Sequence, residues 1–144
     1  MQKKCRITVV RKANYKDLSE KYENHLENPC CHEEGEVFIA NGWEKPEGLC
    51  QSAWDSMSAF VLALSSGGSG LYDGWMKDPI SAMISCNDGF RPVSFLIKAL
   101  DEDSDQQICN ESGDNNENCT KRKYSKCSHY DRYNASDDRS GRYG

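Results

Sequence analysis

Apolar and polar positions change period several times along this chain, and each change marks an element. From Cys5 to Arg11, Ile7 and Val9 are interleaved with Thr8 and Val10, and β-branched residues dominate, which predicts a strand. Asn14 is placed to cap a short helix over Tyr15–Tyr22, with Asp17 near its start and Lys21 near its end. Glu23–Glu34 is polar, contains Pro29 and reads as a loop; Gly35 ends it with a tight turn, a backbone role. Glu36–Ala40 reads as a second short strand, and Asn41-Gly42 as a turn.

The period becomes helical at Cys50. Trp54, Met57, Val61 and Leu64 line one face of a helix over Cys50–Ser65, Ala53 and Phe60 widen the stripe, and Gly67 and Gly68 stop it. A glycine-rich excursion comes next and holds Trp75. Ile80–Cys86 and Pro92–Leu100 then read as a hairpin turning at Asn87-Asp88-Gly89. The expected order is β-α-β-α-β-β: an α+β domain with a small mixed or antiparallel sheet and one long amphipathic helix.

The pattern stops at residue 100. Beyond it Val, Leu, Phe, Trp and Met are absent, and Ile108 is the sole branched aliphatic. The chain is 144 residues long with a formal net charge of -5, but the charge is uneven. Residues 101–120 carry seven acidic and no basic groups, whereas residues 121–144 carry seven basic and three acidic groups. Such a stretch cannot bury enough apolar surface to offset its ordering entropy. The division expected is a folded domain over 1–100 and a disordered tail over 101–144, acidic first and basic later.

No apolar run approaches the length of a membrane span, and Met1–Val10 is too short for a signal-peptide core. A cytoplasmic setting is therefore expected. The acidic balance disfavours nucleic acid as a partner, so an unidentified protein partner is expected instead.

Eight cysteines carry the candidate chemistry: Cys5, Cys30, Cys31, Cys50, Cys86, Cys109, Cys119 and Cys127. Without a signal peptide, a stable disulfide framework is not expected. Clustered Cys and His then read as metal ligands or reactive thiols, against the plainer reading of buried structural cysteines. Cys30, Cys31 and His32 share one loop; Cys50 begins the long helix, where the dipole favours a thiolate; Cys86 ends a strand. If loop, helix start and strand end meet, three thiols and one imidazole converge. Such a Cys3His set suits tetrahedral zinc, or iron with soft ligands.

Adjacent Cys31 and His32 would chelate awkwardly, which favours Cys30. Cys5 reads as a core residue. The spacings of Cys109, Cys119, Cys127 and His129 match no standard ligand pattern. Glu33, Glu34 and Glu36 read as a solvated rim, His25 and Arg91 as exposed, Trp54 as core and Trp75 as a loop anchor.

The segments H-E-E-G-E-V-F at His32–Phe38, G-L-C-Q-S-A-W at Gly48–Trp54, A-L-S-S-G-G at Ala63–Gly68 and S-C-N-D-G-F-R-P-V-S-F at Ser85–Phe95 occur in this order. Together they resemble a family of small uncharacterised proteins of anaerobic bacteria and archaea, some with tandem copies. The resemblance runs from about Lys4 to Leu100. It places His32, Cys50 and Cys86 on the family pattern and maps the early cysteine to Cys30 or Cys31. The closeness of that cysteine to the histidine is a departure. The tandem copies imply that domains pair, and the resemblance supplies no reaction.

Three functions emerge as expectations. The first is a metal or thiolate site of Cys30, His32, Cys50 and Cys86. The second is a redox or nucleophilic enzyme centred on Cys50. The third is an interaction module whose cysteines are structural only.

Overall fold

Alternation decides the sheet. Cys5, Ile7 and Val9 point to one face of β1 (Lys3–Lys12), and Val93, Phe95, Ile97 and Ala99 point to the same face of β4 (Val93–Asp103); all are buried. The computed structural model describes residues 2–24 and 30–105. Two further strands, β2 (Val37–Ala40) and β3 (Ser81–Ser85), complete a four-stranded sheet of order β2-β1-β4-β3. Every neighbouring pair is antiparallel, with Ile7 opposite Phe38 on one side and Ile97 on the other. The fold is α+β, and the sheet is antiparallel throughout rather than mixed.

Helix α2 (Gln51–Ser65) covers the core face of the sheet. Its Ala53, Met57, Val61 and Leu64 interdigitate with Ile7, Phe95, Ile97 and Ala82. Burial of each large side chain contributes about 1.5–3 kcal/mol. The helix ends in a Schellman arrangement. Gly67 takes φ +92°, its N–H donates to the Leu64 carbonyl, and the Gly68 N–H donates to the Ala63 carbonyl. Trp54 is only partly buried at the edge of this core.

The short helix α1 (Lys16–Tyr22) buries nothing, and Asn14 does not cap it: the N-cap position falls at Tyr15, with no side-chain bond. Tertiary ties hold it instead. The Tyr15 N–H donates to the Phe90 carbonyl at 2.8 Å, and Arg91 pairs with Glu23 at 2.8 Å. Arg91 is thus half-buried and paired rather than a free turn residue. The glycine-rich excursion contains one further turn, α3 (Leu71–Gly74), in which Tyr72 and Asp73 take left-handed φ of 48° and 55°.

Strand structure passes the expected domain limit at residue 100. β4 runs to Asp103, Lys3 pairs with Asp101 and Asp103, and the Ser104 N–H donates to the Gln2 carbonyl. The tail from residue 106 and His25 lie outside the described residues. Among the described residues no helix is long and apolar enough to cross a membrane.

Candidate thiol site

The site is assembled where β1 bulges. Val9 pairs with Phe95 and Arg11 with Ser94, so Val10 is an extra residue in the strand. The bulge fastens the next loop. The Gly35 N–H donates to the Val9 carbonyl at 2.8 Å, and the Val9 N–H donates to the Glu36 carbonyl at 2.9 Å. Gly35 needs its φ of +89° to make this turn.

The turn drives His32 into the core, where it is 2% exposed. The ring stands edge-on to Phe38 and Phe95, with centroids 5.4 and 6.0 Å away. Its Nε2 accepts the backbone N–H of Cys50 at 3.1 Å, so this network assigns the ring proton to Nδ1. Nδ1–H then donates to Glu36 Oε2 at 3.0 Å. Cys50 is the N-cap of α2, and its own side chain makes no capping bond. The imidazole therefore satisfies a backbone donor at the helix start.

Cys86 closes the β3–β4 hairpin. Its N–H donates to the Val93 carbonyl at 3.0 Å, and its Sγ accepts the Val93 N–H at 3.3 Å. Asp88 holds the turn by accepting the N–H groups of Phe90 and Arg91. Asn87 donates to the Ser52 carbonyl at 3.1 Å, binding the hairpin to the first turn of α2.

Cys30 completes the group, half-buried against the core. Burial pushes its thiol above the ordinary value, while the His32 backbone N–H and the Lys12 charge oppose the rise. The nearby Cys86 and Cys50 thiols raise it further. Lys45 lies near Cys50, its pKa lowered by burial and partly restored by Cys50 and Asp55.

Cys30, Cys50 and Cys86 are all free thiols, and the His32 and Asn87 bonds bring the loop of Cys30 and the hairpin of Cys86 to the helix start at Cys50. His32 lies among them, but both ring nitrogens are engaged by protein partners, which differs from the ligand role read in the sequence. Cys31 is exposed and disulfide-bonded. Cys5 lies in the core at 0% exposure, as expected, with its thiol pushed up to about 11 by burial. Among the described residues, no three His, Cys, Asp or Glu side chains are arranged to hold a metal ion.

Glu36 is the site residue that sequence reasoning missed, having read it as solvated rim. The signal was its position four residues after a histidine that the Gly35 turn folds back. No family model, curated protein or solved structure matches the chain. The resemblance therefore rests on the motifs alone.

Proposed function

We propose that Cys30, Cys50 and Cys86 form a thiolate site for a soft divalent metal ion, zinc or iron, with His32 and Glu36 positioning Cys50 rather than ligating. The observation that carries this reading is that three free, half-buried thiols from three separate elements lie by the start of α2: His32, two residues from Cys30, accepts the Cys50 N–H, and Asn87, next to Cys86, bonds the Ser52 carbonyl. Two of the sulfurs also meet backbone N–H groups, His32 at Cys30 and Val93 at Cys86. Such donors favour a thiolate and tune a metal held by it.

The enzyme alternative draws less support. His32 already uses Nε2 to accept the Cys50 N–H, so it is not free to deprotonate the Cys50 thiol. Burial raises the Cys30 thiol, and a protonated thiol is a poor nucleophile. A metal ion removes that objection by displacing the proton. The thiols are not preset around one point among the described residues, so loading draws them together. Three protein ligands would leave a fourth position for water or substrate.

The test is titration of the reduced full-length chain with cobalt(II), a coloured substitute for zinc. Thiolate-to-cobalt charge-transfer absorption saturating near about one equivalent is expected. It should vanish in Cys50→Ser and Cys86→Ser and persist in Cys5→Ala and Cys31→Ser. Absence of the band, or an unchanged band in a Cys50→Ser/Cys86→Ser double variant, overturns the reading.

A further inference from the structure

Helix α2 covers one face of the sheet. On the opposite face, β1 presents Lys4, Arg6 and Thr8, β2 presents Val37 and Ile39, β4 presents Leu96 and Lys98, and β3 presents Met83. Val37 and Ile39 are 53% and 47% exposed. Arg6 stands directly across from Lys98, a like-charge pair that costs stability on a bare sheet. Lys98 is offset by Asp78 at 2.7 Å, but Arg6 has no ion pair among the described residues. Arg11, across from Ser94, adds a further cation on this side.

The path of the chain is the second observation. Beyond β4 it crosses the end of β1 and is clamped at Asp105. Asn41 donates to the Asp105 carbonyl at 2.9 Å, and the Asp105 N–H donates to Asn41 Oδ1 at 2.7 Å. The Asp105 carboxylate pairs with Lys4 at 3.2 Å. Lys4 alternates with the core residue Cys5, so this clamp delivers the chain to the rim of the face that no described element covers. The segment beyond the clamp is acidic: Glu111, Asp114 and Glu117 with no basic residue through Thr120. Residues 106–117 reach about 40 Å when extended, against a sheet width of about 15 Å.

From the cationic row, the apolar surround and the clamp at Asp105, we infer that the acidic segment 106–120 folds back over this face and supplies the anions facing Arg6, Arg11 and Lys98. A second copy is a poorer occupant. Face-to-face pairing would bring two cationic rows together, which electrostatics opposes. Tethering gives the acidic segment a high effective concentration without a large interface.

Zero-length carbodiimide cross-linking of the full chain, with peptide mapping of the monomer, tests this. Amide links from Lys98 and Lys4 to Glu111, Asp114 or Glu117 are expected, in clear excess over links from the exposed Lys21 on α1. They should be lost in Arg6→Glu and at ~0.5 M salt, where the screening length is about 4 Å. The variant Glu111→Gln/Asp114→Asn/Glu117→Gln should bind more apolar dye. Links spread equally onto Lys21, or found only between two chains, overturn the proposal; the latter outcome would assign the face to a second copy.

Discussion

The imidazole of His32 accepts the backbone N–H of Cys50 at 3.1 Å across eighteen residues of chain. One ring thereby ties the loop after α1 to the first turn of the main helix, while Glu36 holds it from the other side. His32→Ala leaves a buried donor unpaired and a void between Phe38 and Phe95. The expected cost is about 3 kcal/mol in urea unfolding. His32→Gln should recover part of it, because an amide oxygen can accept the same N–H. Glu36→Gln should cost about 1 kcal/mol or less, the carboxylate being partly exposed. A His32→Ala domain as stable as the parent would contradict the tie.

Cys5 makes stability sensitive to alkali. Burial raises its thiol from 9.0 to about 11 in the folded chain. Between those values the folded state binds the proton more tightly than the unfolded state. Stability is therefore full below about pH 9 and falls as pH rises toward 11. The loss is on the order of 3 kcal/mol. Cys5→Ala should be less stable at pH 7, where a core side chain is truncated, and should show a flatter alkaline limb. A parallel decline in both proteins would refute the assignment.

The thiols should separate by reactivity. Alkylation of the native, metal-free chain with subsequent peptide mapping should label Cys30, Cys50 and Cys86 before Cys5, which is 0% exposed. Labelling of Cys5 should track denaturant-induced unfolding. Simultaneous labelling of Cys5 with the other three would mean that its burial is only transient.

Two glycine-related changes should have opposite signs. A Cβ on Gly68 would lie 2.7 Å from the Ala63 carbonyl oxygen, inside the helix stop, so Gly68→Ala should lower the melting temperature by several degrees. Asp73 holds φ 55° in the turn after Gly70, and Asp73→Gly should remove about 1 kcal/mol of strain. Thermal melts of the two variants check both signs.

Much of this framework is legible in the residues. The alternation of Ile7 and Val9, the helical stripe of Met57, Val61 and Leu64, and the Asn87-Asp88-Gly89 turn all predict elements that the structure contains within a few residues. These signals are local, set by side-chain period and turn chemistry. The reading of Asn14 as a cap failed because α1 is held by Phe90 and Arg91, residues distant in sequence that no local pattern encodes. Cys30, Cys50 and Cys86 come to the same end of α2 because of where their elements end. The engagement of His32 was hidden because it depends on a strand bulge at Val10 and a left-handed Gly35, which together turn Glu36 back onto the ring.

The sheet order has a consequence for the chain as it leaves the ribosome. The two central strands, β1 and β4, are the first and last of the described elements, with Ile7 opposite Ile97. The centre of the sheet cannot form until residues near 100 have emerged; until then β1 has only β2 to pair with, and its other edge stays open. Such distant pairing is slow. During that interval Cys5 is open to oxidation and mispairing, and the last strand to arrive is the one that buries it.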